Sequence, residues 1–154
     1  MSEASVRAAI YAIVNAVSNA GNVWDYERWA AFAAGKDTIA SKTISGSKVI
    51  RFWTVSCERI DQEQVTFSGD IKRAYHFVIS GAFGLDDSAA SEKTAIALTE
   101  DVMEALDGAA TIHNATDFTD GINTASQLRV FELRLIGTEF CHYSEISQIV
   151  TEVV

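Results

Sequence analysis

Two neighbouring runs constrain this chain more than anything else in it, 49–60 (VIRFWTVSCERI) and 71–81 (IKRAYHFVISG). Both are rich in β-branched and aromatic residues, so each reads as a strand, and a turn through 61–70 pairs them as an antiparallel hairpin. The first shows Val49, Trp53, Val55 and Cys57 on one face and Ile50, Phe52 and Ile60 on the other. The second carries Ile71, Tyr75, Phe77 and Ile79 at odd positions, with Val78 opposite. An antiparallel sheet in a monomer usually alternates cleanly, because one side meets water. These strands are apolar on both sides, and Val130, Ile146 and Val150 add to the even set. A second subunit is the economical cover for the surplus. Charges among apolar strand neighbours fix register at interfaces. Arg51, Trp53, Arg73, Tyr75, Glu132 and Arg134 are therefore the expected subunit-interface residues. The competing expectation folds the segment after the first helix over this face.

The remaining elements follow from period and punctuation. Val6, Ile10, Ile13, Val14 and Val17 mark an amphipathic helix over 4–18, started by Ser2 or Ser5 and stopped by Gly21. Asp25 heads a short helix from Tyr26 to Ala34, with Trp29, Phe32 and Ala33 on its apolar face. The polar stretch 36–48 (KDTIASKTISGSK) is a long loop or an extended hairpin arm. After an acidic turn over 82–91, Ser91 caps a helix from Glu92 to Asp107, and Ala95, Leu98, Val102, Ala105 and Leu106 form its buried stripe. A Thr- and Asn-rich connection over 109–127 precedes two closing strands, 128–136 and roughly 143–153. The expected fold is one α+β domain over 1–154. Its sheet has four to five mostly antiparallel strands, with two main helices on one face and a long loop arm after the first helices.

Composition narrows what such a domain does. The chain has 154 residues, 21 acids and 12 bases, for a formal charge of −9. That balance opposes wrapping of DNA, which needs clustered Lys and Arg, but does not stop DNA from passing by. No apolar run approaches the roughly 20 residues of a membrane span, so no membrane partner is expected. Met1-Ser2-Glu3-Ala4 lacks the basic start and apolar run of a signal peptide, which points to synthesis in the cytoplasm. Cys57 and Cys141 read as lone buried thiols, unless their two strands are neighbours.

Candidate chemistry is thin, and no catalytic, cofactor or metal residue is assigned. AAGKDT (33–38) lacks the first glycine of a phosphate loop, and Asp37 replaces its metal-binding hydroxyl. A catalytic histidine needs a nucleophile or an orienting carboxylate near it. Of His76, His113 and His142, the last has Cys141 and Glu139 beside it, at a strand boundary where a surface or strand histidine is expected. Glu139-x-x-His142 is one half of a di-iron motif without its second copy. Cys57, His76, Cys141 and His142 lack zinc-ligand spacing. Asp86 and Asp87, with Asp61 and Asp70 nearby, read as solvated charges. Trp24, Tyr26 and Trp29 are interleaved with Asp25, Glu27 and Arg28, so no cation funnel for a single strand accompanies them.

Order of elements and phrasing together resemble the tail terminator, or tail-completion, proteins of long-tailed bacteriophages. The resemblance runs through RAAIYAIVNAV (7–17), VWDYERW (23–29), RFWTVSCERI (51–60), RAYHFVISGAFGLDDSAASEKTAIALTEDVMEALDG (73–108) and LRVFELRLIGTEFCHYSEISQIVTEV (128–153). It implies a non-enzymatic virion subunit that forms a ring, commonly a hexamer, at the head-proximal end of the tail tube. Its partners would be copies of itself, the tail tube protein and a neck or head-completion protein, with DNA passing through unbound. Asp86 and Asp87 are the acids expected to face that lumen. Two alternatives stay open: another neck, joining or tube component, and a small enzyme or ligand-binding domain.

Overall fold

The computed structural model describes residues 2–27, 40–44, 46–65, 67, 69–109, 122–137 and 139–153. Helix α1, Glu3–Ala16, begins at a reciprocal capping box, in which the Ser5 amide donates to Ser2 Oγ and the Ser2 amide to Ser5 Oγ. The strands are β1 (Asn22–Trp24), β2 (Ser41–Ile44), β3 (Ser47–Gln64), β4 (Ile71–Gly84), β5 (Ile122–Asn123), β6 (Gln127–Ile136) and β7 (Glu139–Val153). Helix α2, Ser91–Gly108, falls between β4 and β5. The main path of the sheet is β1-β3-β4-β7-β5, with β2 also paired to β3 and β6 to β7. Every pairing is antiparallel except β1 with β3. This is the expected α+β fold, a five-stranded mixed path with two helices.

The departures have local causes. β1 is three residues long and parallel, too short to show any period. The polar arm resolves in favour of a hairpin over 41–50, where Ser41 pairs with Ile50 and Ile44 with Ser47 around Gly46 at φ +83. Glycine reaches that φ without a Cβ penalty. Asp25 and Tyr26 form a bend, and the rest of the short helix expected to Ala34, with Trp29, Phe32 and Ala33, lies outside the described residues. Segment 139–142, expected as connection, is strand, because Gly137 (φ +65) turns the chain at once and Ile136 pairs with Glu139. Ser91 does not cap α2: it is the first helical residue, after Ala90 in the left-handed region.

One face of the sheet carries the core. Val55, Tyr75, Phe77, Ile79, Ile146 and Val150 meet Val6, Ile10 and Val14 of α1 and Leu98, Val102 and Leu106 of α2. Each such side chain contributes on the order of 1.5–3 kcal/mol by leaving water. Register, not residue number, decides the face: Ile79 lies opposite Ile146 and Tyr75 opposite Val150. Ile146 and Val150 therefore belong with the odd residues of β4, not on the other side as the sequence suggests. The second face has its own small cluster, Phe52, Ala82, Ile136, Cys141 and Tyr143 with Ala40. Much of the expected surplus is thus buried within one chain. Trp53, 3% exposed, and Tyr75, 2% exposed, are core residues, which corrects their assignment to a subunit interface.

Trp53 sets the tightest contact in this core. A Cβ at Gly81, its partner on β4, would sit 2.5 Å from the indole, so only glycine lets the ring lie across the strand. Gly81→Ala is expected to lower unfolding free energy by about 1–3 kcal/mol, through overpacking around a buried ring. Gly108→Ala, where a Cβ meets nothing within 4 Å, should stay within about 0.5 kcal/mol of the parent. Urea melts of both variants check the contrast.

Candidate functional site

The residues assigned to an interface from sequence separate into three places. Arg51 is buried at the β1 end, where its Nη1 donates to Asn19 O at 3.0 Å and its guanidinium stacks 4.1 Å from the Phe83 ring centre. Burial lowers its pKa. It braces the turn after α1 from inside, a further correction. A Cβ at Gly21 would strike Arg51 O, so the backbones touch here.

Arg73 and Tyr75 converge on Glu152 of β7. The Tyr75 hydroxyl donates to Glu152 Oε1 at 2.7 Å and Arg73 Nη1 donates to the same oxygen at 3.0 Å. The carboxylate is fully buried at the sheet end, directly opposite Arg73 in the β4–β7 ladder. Burial pushes its pKa up, but hydrogen bonds from Tyr75 and Arg73 are among the interactions that outweigh burial and leave it below the ordinary glutamate value. Burial also raises the Tyr75 hydroxyl. This triad is an internal lock.

Glu132 and Arg134 remain at the surface, on the helix-free face. Arg134 Nη2 pairs with Glu132 Oε1 at 2.6 Å and its guanidinium covers the Tyr143 ring at 3.6 Å. Tyr143 donates to Glu145 Oε1 at 2.6 Å, and burial, then that bond, raise its pKa. Arg134, Tyr143 and Glu145 line a trough of about 400 Å³, together with Ser56, Val78 and Ser80. Glu58 and Arg129 meet across it at 3.0 Å. Each is the extra residue of a β-bulge, one in β3 and one in β6. A second groove, of about 410 Å³, lies at the base of the β2–β3 hairpin between Val49, Ile50, Leu85 and Phe140.

The acidic turn is built locally. Asp86 accepts from the amides of Ser88 and Ala89 and from the Ser88 hydroxyl, and these bonds hold its pKa below the usual carboxylate value. Asp86 and Asp87 are both exposed. Behind the turn, Ser91 Oγ accepts from the Asp86 amide at 2.8 Å and contacts His142 Nε2 at 3.0 Å. A serine hydroxyl on an imidazole nitrogen is the geometry of an activated nucleophile. Here both residues are buried, and neither lines either groove. The contact fastens the start of α2 to β7, and a separation of 51 residues hid it from sequence reading.

The other titratable candidates are dispersed. His76 meets Asp61 at 2.9 Å and Arg59 at 3.3 Å on the exposed end of the β3–β4 hairpin. Glu139 and His142 lie on opposite sides of the sheet, as three-residue spacing in a strand requires. Cys57 on β3 and Cys141 on β7 are separated by β4 and are free thiols. Burial raises both, Cys141 to about 11. Among the described residues no three metal-ligating groups converge. His113 and the 33–38 phosphate-loop look-alike lie outside the described residues.

What sequence reading missed is where apolar surface stays open. On the helix side of the sheet, Leu133, Leu135 and Phe140 are 53%, 56% and 54% exposed, and Leu128 is 46% exposed. The three leucines lie on β6, which among the described residues pairs only with β7, and Phe140 lies on β7 opposite Leu135. At the opposite edge, β3 runs past β1, and Glu58–Gln64 are exposed to the last residue. No described helix is long and apolar enough to cross a membrane.

Because the Glu152 pKa is depressed, its contribution to stability is whole above the ordinary glutamate value of about 4.3 and fades as pH falls below it. Thermal melts between pH 7 and pH 3 are expected to show this loss. Glu152→Gln should flatten that part of the profile while lowering stability at pH 7 by about 1–3 kcal/mol. An unchanged profile in the variant would remove Glu152 as the cause.

No protein-family model matches the chain, and no curated protein sequence matches it.

Proposed function

We propose that this chain is a structural assembly subunit of the tail-terminator kind. Copies of it form a ring, of six in the closest analogy, that caps the head-proximal end of a phage tail tube. The ring stops tube polymerisation and presents a surface to the neck, and its place is the virion. The observation that carries the reading is the β3 extension. A strand of 18 residues is about three times the usual length, its last seven residues are exposed, and no described strand runs along the outer edge of residues 58–63.

Such an extension buries little in its own chain. A monomer keeps edges short, or blunts them with charge, because an open strand recruits other chains. Glu58, Arg59, Asp61 and Glu63 supply the charge, yet the strand still runs exposed for roughly 20 Å at 3.4 Å per residue. Length without burial suits a subunit that pairs with a neighbour or a tube. A head-to-tail contact through it closes into a ring and leaves no edge over. The formal charge of −9 supports a channel through which DNA slides without being held, with Asp86 and Asp87 as lumen residues.

Native mass spectrometry and electron microscopy of the chain with tail tube protein test this. Closed rings and tubes of limited length are expected. Gln62 and Arg73 are direct partners in the ladder, so an Asn-Gly turn in place of residues 63–72 shortens the hairpin without breaking its register. That variant should keep its fold by circular dichroism and lose ring formation. Tubes that grow unchecked in the presence of the parent protein would sink the proposal.

A further inference from the structure

The exposed row on β6 has a feature that the ring reading does not use: the strand is complementary to itself. From Val130 to Ile136 its side chains alternate strictly. Phe131, Leu133 and Leu135 point to the helix side, opposite Ser144, His142 and Phe140 of β7. Val130, Glu132, Arg134 and Ile136 point to the trough side. We infer that β6 pairs antiparallel with β6 of a second copy, about a twofold axis through Leu133, to make a dimer whose sheet is continuous.

Face and charge together select that register. An antiparallel self-pairing keeps apolar against apolar only if the paired numbers have an even sum, since a one-residue slip turns every side chain to the other face. With Leu133 at the centre, Phe131 faces Leu135 of the second copy and Val130 faces Ile136. Glu132 then faces Arg134, twice over. Moving the centre to Glu132 sets two glutamates against each other, and moving it to Arg134 sets two arginines against each other, both destabilising when directly opposite. Centring on Phe131 sets Glu132 against Val130, and centring on Leu135 sets Arg134 against Ile136, so neither pairs the two charges. Only one register satisfies both faces.

The axis stands perpendicular to the sheet, so both pairs of helices fall on one side. The exposed Leu133, Leu135 and Phe140 of each copy merge there into one covered cluster. An isologous contact joins copies two at a time and does not repeat around a ring. This contact is therefore separate from the exposed end of the β3–β4 hairpin, and it stands whether or not a ring forms.

Charge reversal tests it. In the shortened-hairpin background, where ring closure is removed, light scattering at tens of micromolar is expected to report about twice the chain mass. Glu132→Arg alone and Arg134→Glu alone should each weaken the dimer at least tenfold. An equimolar mixture of the two variants should restore it, because each then presents the charges that the other needs. A monomer in that background, or folded single variants that dimerise as before, or a mixture that stays monomeric, would overturn the inference. Arg134 also packs on Tyr143, so a second variant guards against misfolding. Leu133→Cys lies opposite itself, with Cα atoms about 4.5–5.5 Å apart, inside disulfide range. It should give a covalent dimer on mild oxidation, whereas the parent, with Cys57 and Cys141 alone, should not. Loss of rings in the shortened-hairpin variant with this dimer intact, or the reverse, tells the two contacts apart.

Discussion

The indole of Trp53 lying across Gly81 is the contact on which the rest of the architecture depends. It joins β3 to β4, the two longest neighbours in the sheet, at the point where β1 docks on the other side of β3. A bare glycine lets the ring lie flat over the backbone, and the ring shields a stretch of strand that has no side chain of its own. The α1 stripe of Val6, Ile10 and Val14 then packs over the same cluster. Arg51, two residues earlier, holds the turn after α1 through Asn19 O and so fixes where the helix leaves the sheet. Sheet, helix and turn are set by a span of three residues.

The opposite end of the same ladder is closed by charge instead of by aromatic packing. Glu152 is buried near the terminus of β7, where the sheet has run past much of its hydrophobic cover. Tyr75 bridges the two regimes, with its ring in the core and its hydroxyl on the carboxylate. Truncating one member of such a buried cluster removes more than one hydrogen bond, because the remaining polar groups keep their desolvation penalty. The lock holds the end of β7 against β4, two residues from the outer end of the β3–β4 strand pair.

Elements with a long period were legible in the sequence, and their surroundings were not. α1, α2 and the β3–β4 pair follow from apolar spacing that local chemistry fixes. The placement of Trp53 and Tyr75 failed for a definite reason. An aromatic residue beside an arginine reads the same whether helices cover it or a second subunit does, and only the helix positions decide. Ile146 and Val150 were put on the wrong face because alternation in one strand says nothing about register with the next. Glu132 and Arg134 were assigned to a subunit interface and lie at the surface, whereas the apolar row beside them, Leu133 and Leu135, was not singled out. Strand residues that face the helix layer look like core, and nothing local in β6 reveals that the helices stop short of it.

The two faces of the outer strands differ in what covers them. Each of two β-bulges inserts one residue, Glu58 in β3 and Arg129 in β6, and a bulge bends its strand and raises the local twist. The two lie within about three residues of one another along the β4–β7 ladder, and Glu58 and Arg129 both line the trough. Both side chains are about half exposed, and an ion pair so placed is worth under about 1 kcal/mol, too little to have shaped the sheet. On the other face the two helices pack on β3, β4 and β7. The apolar row of β6, with Phe140 beside it, lies beyond that cover, so Leu133, Leu135 and Phe140 stay exposed where the core residues of β4 and β7 do not.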